Sequence, residues 1–260
     1  MQLLRIITIF LLFSLVLTFS ACEQKAEVSF PRIAYLPEIV GAEMHFRGYV
    51  TDTEDELVSD ISEFTRVVSH RDTINYQPLL VYISQQQKTP YYTDGKGTVR
   101  EYVTDEIGLR VVQYGFAFRD PISVSYWKPV LKLDEGVGTE WSVSVDTTFE
   151  MITLKGGKNS IRYVHSSRGR FEGWSEVYVP ESPKTRYKVL ETYWPEVRTT
   201  IENLTTGEVL FSSRGWARQY FEPSKGCIKY ITDFTKYDKD NPEEVSLKGS
   251  WELLRTHIPN

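Results

Sequence analysis

Short stretches in which apolar and polar residues alternate recur along most of the chain. Residues 141–145 read Trp-Ser-Val-Ser-Val, and residues 64–69, 79–83 and 187–193 are further stretches whose β-branched and aromatic residues favour strands. Alternation with a period of two is typical of a β-strand that buries one face. Turn signals such as Gly156-Gly157-Lys158-Asn159 separate these stretches. The pattern predicts many short strands joined by tight turns.

The predicted fold class is mostly β. Tyr, Phe and Trp make up 13% of the chain, and no long helical periodicity is present. Aromatic and β-branched residues favour pleated, half-buried surfaces. We therefore predict an antiparallel sandwich or an open (half) barrel spanning residues 35–260. A domain of this length can bury a core without disulfides or metals.

Three polar segments give more specific expectations. Residues 99–103 and 109–118 are predicted to pair as a hairpin across residues 105–108. His70-Arg71-Asp72 has the letters of a kinase catalytic loop without its other motifs, so it is predicted to form a turn between strands. Asp94-Gly95-Lys96-Gly97 is predicted to be a tight turn.

The chain also contains a faint internal repeat. Residues 35–44 and 131–141 each place a glycine shortly before a large apolar residue at the start of a predicted strand. Two related β halves, 35–125 and 126–260, would explain the repeat. Ordinary turn chemistry would explain it equally, because glycine before a strand is common.

The first 21 residues follow a different pattern. Arg5 is the only charged residue there, and residues 6–19 are almost wholly apolar. A short basic segment, an apolar core and small residues before a cleavage point characterise secretory signal peptides. The apolar core is shorter than the roughly 20 residues that span a bilayer. Residues 1–21 are therefore predicted to be a cleaved signal peptide rather than an uncleaved anchor.

The end of this leader resembles the bacterial lipobox. Its residues are Ser20-Ala21-Cys22, with Phe19 where the motif usually has Leu. The resemblance implies cleavage before Cys22 and acylation of that residue, for example with palmitate, which leaves residues 22–34 as a tether. Two or more acyl chains anchor a protein stably. Glu23 is not the Asp that favours inner-membrane retention, so the resemblance implies the outer membrane, on its periplasmic or cell-surface face.

Charge and histidine spacing exclude several classes of function. The chain has 30 Lys and Arg against 35 Asp and Glu, a net charge of −5. Without a basic excess, nucleic-acid binding is not expected. The four histidines stand singly, so no metal site is predicted. No motif indicates a cofactor.

Catalytic motifs are equally scarce. If Cys22 is lipidated, Cys227 is the one remaining cysteine, and no disulfide is predicted. A nucleophilic Cys227 would need a base and a lowered pKa. We predict instead that Cys227 is a small buried strand residue. The chain is therefore predicted not to be an enzyme.

Aromatic side chains are the remaining candidates for ligand contact, because they combine a large contact area with a polar tip. A carbohydrate platform or a lipid-holding hollow could use them. Their alternative role is packing in the core or in cross-strand pairs. The candidate ligand surface comprises Tyr126, Trp127, Trp174, Trp194 and Trp216.

The order of several motifs resembles that of uncharacterised β-rich envelope lipoproteins. The motifs are Gly41-x-x-Met44, Gly138-Thr139-Glu140-Trp141, the segment 220–230 and Trp251-Glu252-Leu253-Leu254. The resemblance implies a half-barrel in which one curved antiparallel sheet wraps an apolar hollow. It carries over no catalytic residues, and it places Cys227 where a small or apolar residue is usual.

Three functional hypotheses follow, in decreasing order of support. The first is a non-catalytic binding or structural module, anchored to the membrane by its N-terminal lipid and contacting an envelope protein or a glycan. The second is a carrier or chaperone for a lipid or acylated client, which predicts an apolar cavity of several hundred cubic ångströms. The third is a hydrolase with dispersed carboxylates, which predicts acidic groups with shifted pKa values in a cleft.

Overall fold

The computed structural model describes residues 37–74, 77–84, 87–93, 98–117, 122–133, 135–153 and 156–259. The predicted signal peptide, Cys22, the tether and the predicted turn at 94–97 lie outside these ranges. No helix in the described ranges is long and apolar enough to cross a membrane.

The described ranges contain thirteen strands and one short helix. The first seven strands are β1 (Glu43–Thr51), β2 (Ser62–Ile74), β3 (Gln77–Ser84), β4 (Gln87–Thr93), β5 (Thr98–Asp105), β6 (Phe116–Ala117) and β7 (Val124–Lys132). The others are β8 (Glu140–Thr153), β9 (Lys158–Val177), β10 (Tyr187–Asn203), β11 (Glu208–Glu222), β12 (Gly226–Asp238) and β13 (Asn241–His257). The helix α1 (Ile107–Val112) lies between β5 and β6.

All thirteen strands belong to one antiparallel sheet, in the order β6-β8-β9-β10-β11-β12-β13-β1-β2-β3-β4-β5-β7. The β1–β13 pairing joins the two ends of the domain and places Phe46 opposite Leu253. The sheet is nearly closed into a barrel with one unsealed seam. This architecture confirms the mostly β, antiparallel prediction in its open-barrel form.

The inner face of the sheet can be read from β9. Tyr163, His165, Ser167 and Phe171 are all buried, and they occur at every second or fourth position of the strand. Successive side chains of a strand point to opposite faces. The buried set therefore marks the inner face, and it contains polar as well as apolar residues.

Helix α1 packs against the end of the sheet that carries the β8–β9 and β10–β11 turns. Its Ile107 and Val111 are fully buried. They share an apolar cluster with Phe116, Val124, Met151, Ile161, Tyr163, Ile201 and Leu210. Full burial of one such apolar side chain contributes about 1.5–3 kcal/mol. The cluster fills this part of the interior, and polar residues occupy the part beyond it.

The strand predicted at residues 109–118 is wrong. This segment contains the end of α1 and the two-residue strand β6. Ile107 and Val111 are four residues apart, so a helix brings both onto the buried face. A short apolar run does not reveal its period, which is why the sequence favoured a strand.

The turn predicted at His70-Arg71-Asp72 is also wrong, because these residues lie inside β2. They pair with residues 79–81 of β3, just after an irregularity in register between Val68 and His70. All three residues are exposed. A solvent-facing strand segment can be as polar as a turn, and composition alone does not separate the two.

Candidate functional site

A cavity of about 220 Å³ lies on the inner face of the sheet. Its lining comes from β2, β4, β5, β7, β11, β12 and β13. Four of the lining side chains are polar or charged: Arg66, Glu101, Lys128 and Gln219. The others are Tyr91, Val130, Phe221, Cys227, Tyr230 and Trp251. The cavity therefore combines aromatic walls with charges of both signs.

The Arg66 guanidinium lies against aromatic rings. Its Cζ is 5.5 Å from the ring centre of Phe46 and 5.4 Å from that of Trp251. Trp251 in turn stacks on Tyr230, with ring centres 5.4 Å apart. Cation–π contacts contribute about 0.5–2 kcal/mol and do not consume the N–H donors of the guanidinium. The Arg66 guanidinium is therefore held in place while its N–H donors remain available to a ligand.

Lys128 is supported in the same way by Trp194. The Lys128 Nζ lies 4.6 Å from the Trp194 ring centre. Trp194 is buried and packs edge to face on Trp141, with ring centres 5.7 Å apart. Lys128 lies opposite Glu101 in the β5–β7 ladder. Both charged side chains therefore occupy neighbouring positions on the inner face.

Gln219 is oriented by two hydrogen bonds to its side-chain oxygen. The Trp194 Nε1–H donates to Gln219 Oε1 at 3.2 Å, and the Thr192 hydroxyl donates to the same oxygen at 3.5 Å. An amide side chain carries two N–H donors on its nitrogen. Because the oxygen is occupied, the nitrogen is the group that Gln219 offers to the cavity.

The charged groups of the cavity make no ion pairs with one another. Among the residues that the structure describes, none of Arg66, Glu101 and Lys128 has a charged nitrogen or oxygen atom within 4.0 Å of an oppositely charged side chain. All three are half-buried. Charges removed from water are normally paired or hydrogen-bonded, because desolvation without a partner costs free energy. The arrangement can therefore supply both cationic donors and an anionic acceptor to a bound molecule.

The two tyrosines of the cavity are neutral hydroxyl donors. Burial raises the pKa of Tyr91 and of Tyr230 above the usual phenol value, and the nearby Glu101 carboxylate adds to both shifts. Neither phenol ionises near neutral pH.

Cys227 lines the same cavity as an unreactive thiol. It is free and buried, and burial raises the pKa of its thiol to about 12. Its S–H donates to the Lys229 carbonyl at 3.3 Å. A nucleophilic cysteine needs a lowered pKa. The position suits the packing role that the sequence predicts.

A second polar group lies between the cavity and α1. The Tyr163 hydroxyl donates to Asp105 Oδ2, and the Tyr126 ring lies 5.4 Å from the His165 ring. Burial, reinforced by the Asp105 hydrogen bond, raises the pKa of Tyr163. Lys128 acts electrostatically on His165. The polar interior thus extends from the cavity toward the apolar cluster.

His165 is expected to make the protein less stable in acid. Burial, with a smaller contribution from the Lys128 charge, lowers the pKa of His165 to about 4. Between this value and about 6.5, the unfolded chain binds a proton that the folded chain does not, so stability falls as the pH falls. The free energy of unfolding, measured with urea, should drop by roughly 2–3 kcal/mol from pH 7 to about pH 4.5 on this account.

Two variants separate His165 from the other titrating groups. His165→Gln should flatten the pH dependence between these two values. His70→Gln replaces an exposed histidine and should leave it unchanged. An equal slope in His165→Gln and in the unsubstituted protein would contradict the assignment.

The five aromatic residues that were predicted to form one ligand surface lie on different parts of the sheet. Tyr126 and Trp194 lie on the inner face, while Trp127 points to the opposite face of β7, because neighbouring strand residues alternate. Trp174 contacts a lysine ammonium of β10, and Trp216 contacts a tyrosine ring of β10. The five residues therefore do not form one surface.

The charged cavity residues belong to no recognisable sequence motif. Each of them is a charged residue at a strand position whose neighbours on the same face are apolar. Glu101 shares a face of β5 with Val99 and Val103, and Lys128 shares a face of β7 with Tyr126 and Val130. An inward-facing charge is costly, so such a position indicates a function or a buried partner.

No three His, Cys, Asp or Glu side chains within the described ranges converge so as to hold a metal ion.

Two solved structures are similar to the chain. No protein-family model matches the chain, and no curated protein matches it. The chain is similar to a candidate lipoprotein from Parabacteroides distasonis ATCC 8503, with 13% identity and a TM-score of 0.43 over 86% of this chain and 99% of that one. It is also similar to a candidate exported protein with a YmcC-like fold from Bacteroides fragilis NCTC 9343, with 11% identity and a TM-score of 0.37 over the same shares. At such values neither similarity indicates a function for this chain.

Proposed function

We propose that this protein is a lipid-anchored envelope protein that binds a small polar ligand inside its β domain and does not transform it. The observation that carries the proposal is the inward-facing set of Arg66, Glu101 and Lys128, which have no ion-pair partners among the described residues. Three half-buried charges around one cavity are costly unless a bound molecule supplies their partners.

The anchoring part of the proposal rests on the leader. An apolar segment that ends at Ser20-Ala21-Cys22 matches the order of a lipoprotein signal. Acyl chains on Cys22 would hold the domain at the outer membrane, and residues 22–34 would separate it from the lipid surface.

A lipid carrier fits the cavity less well. An acyl chain offers no hydrogen bonds, so it would leave the three charges desolvated and unpartnered. The cavity of about 220 Å³ is also below the roughly 300–1,000 Å³ that drug-sized ligands occupy. A small polar molecule meets both conditions.

A hydrolase fits no better. Glu101 and Asp105 are the acidic residues that β5 directs inward, and they are four positions apart. Along a strand this spacing corresponds to about 13 Å between Cα atoms. Paired catalytic carboxylates of glycosidases are separated by about 5–9.5 Å. A spacing of this size between the backbone positions does not favour such a pair.

Mass spectrometry of the mature protein, extracted from membranes in mild detergent, tests both parts. Under denaturing conditions we expect the chain from Cys22 onward with two or three acyl chains. The variant Cys22→Ser should lose the acyl mass, whereas Cys227→Ser, the matched control at the other cysteine, should keep it. An unsubstituted protein with no acyl mass would contradict the anchor.

Under native conditions the same preparation should carry a small-molecule adduct that denaturation releases. The double variant Arg66→Met with Lys128→Met should lose the adduct. The matched control, Arg214→Met with Lys239→Met, removes an exposed arginine and a surface lysine away from the cavity and should retain it. Equal native and denatured masses of the unsubstituted protein would contradict the binding function.

A further inference from the structure

We infer that the ligand is a small organic carboxylate that also carries hydroxyl groups, the chemistry of a monosaccharide acid. This inference rests on the binding function proposed above. The geometry points to it through three features of the cavity: the balance of charge, the balance of hydrogen-bond donors and acceptors, and the nature of the walls.

The cavity lining has a cationic excess. Arg66 and Lys128 contribute two positive charges, and Glu101 contributes one negative charge. A ligand with a single negative charge would neutralise the site. A carboxylate carries that charge at neutral pH, whereas a phosphate monoester carries about −1.5 to −2. The charge balance therefore favours a carboxylate.

Hydrogen-bond donors also exceed acceptors in the lining. A guanidinium has five N–H donors, an ammonium has three, and neither accepts. The amide nitrogen of Gln219 adds two donors, because its oxygen is already bound by Trp194 and Thr192. The main acceptor is the Glu101 carboxylate. The complementary ligand presents many oxygen acceptors and a few donors, which is the inventory of a polyhydroxy acid.

The two cations of the cavity are held by different side chains. Arg66 lies against Trp251, whose ring stacks on Tyr230. Lys128 lies against Trp194, which binds Gln219. These two groups of contacts share no residue. A ligand with its carboxylate at one cation can place ring oxygens at the other, and it can donate a hydroxyl to Glu101.

The volume of the cavity and the chemistry of its walls fit a ligand with a single ring. A cavity of about 220 Å³ corresponds to on the order of seven water molecules at roughly 30 Å³ each. Tyr91, Phe221, Tyr230 and Trp251 provide flat apolar surface between the polar groups. Aromatic faces pack against the C–H faces of a ring, while their polar tips reach its substituents.

Calorimetric titration of the detergent-extracted mature protein with four probes tests the inference. The probes are D-glucuronate, D-glucose, D-glucosamine and D-glucose 6-phosphate, which share one ring and differ in charge. We expect D-glucuronate to bind about 10- to 100-fold more tightly than D-glucose, the range that one hydrogen-bonded charge contributes. D-glucosamine should bind no better than D-glucose, because its cation meets two cations.

Variants assign the effect to the cavity. Arg66→Met should weaken D-glucuronate binding by about 10- to 100-fold and reduce its advantage over D-glucose. Lys128→Met is the second variant, in case Arg66→Met fails to fold as judged by circular dichroism. Arg214→Met makes the same change at an exposed position and should alter neither affinity.

The outcomes separate this inference from the function on which it rests. Equal affinities for D-glucuronate and D-glucose, or a preference for D-glucosamine or for the phosphate, would overturn the inference and leave the binding function standing. Failure of all four probes, with a native-mass adduct present, would do the same. Failure of all four probes with no adduct would overturn both.

Discussion

Replacement of Trp194 by alanine should lower the free energy of unfolding by about 3–5 kcal/mol, the range for buried aromatic truncations. Trp194 is only 1% exposed, and its ring contacts both Trp141 and the Lys128 ammonium. Its N–H is also one of the two donors that orient Gln219. The alanine variant leaves a cavity and removes one of the two hydrogen bonds to the Gln219 oxygen. Urea unfolding followed by circular dichroism measures the loss.

Two further substitutions calibrate this result. Trp194→Phe keeps most of the ring and removes one of the two hydrogen bonds to the Gln219 oxygen, which still accepts from the Thr192 hydroxyl, so it should cost roughly 0.5–1.5 kcal/mol, as expected for one lost hydrogen bond. Trp216→Ala makes the same truncation at a half-buried position and should cost clearly less than Trp194→Ala. Equal losses for Trp194→Ala and Trp216→Ala would contradict the role of Trp194 as a central packing residue.

Substitution of Gly215 by alanine should also be strongly destabilising. A Cβ atom at Gly215 would lie 2.8 Å from the Phe234 Cα and closer still to the Asp233 carbonyl oxygen. Both atoms belong to the backbone of β12, which pairs with β11 at this point. The two strands must separate to admit the methyl group, and the ladder hydrogen bonds there would lengthen. We expect a loss of about 2–3 kcal/mol, or a fall of roughly 5–10 °C in Tm.

A matched glycine in the same sheet serves as the control. At Gly48 of β1, a Cβ atom would meet its nearest neighbours at 3.6 Å, an ordinary contact distance. Gly48→Ala should therefore change Tm far less than Gly215→Ala does. A Gly215→Ala protein that melts at the temperature of the unsubstituted protein would show that β11 and β12 do not approach as closely as described.

The fold could be predicted because its dominant signal is local. Trp141, Val143 and the serines between them alternate as the β8 strand requires, and this part of the sheet can be read without tertiary contacts. The short helix α1 could not be predicted. Its six residues are too few to show a period, and burial of Ile107 and Val111 in the tertiary structure selects the helix.

The site could not be predicted because its members come from seven strands that meet only in the folded sheet. Arg66 and Trp251 lie on β2 and β13, and β1 between them brings the two together. No sequence spacing encodes such a contact. The predicted ligand surface includes Trp127 and Trp216 because they are aromatic, but both lie outside the cavity. The charged residues that line it resemble ordinary solvent-facing strand residues until the face of each strand is known.

The pairing of β1 with β13 also determines when the cavity can form. The two strands are separated by about two hundred positions of the chain, since Phe46 pairs with Leu253. Contacts between distant positions form slowly, because a long loop must close before they contribute stability. The hairpins β8–β9 and β10–β11 can form early, whereas the cavity is complete only after β13 has paired with β1. We therefore expect the capacity to bind a ligand to be the final property that the folding chain acquires.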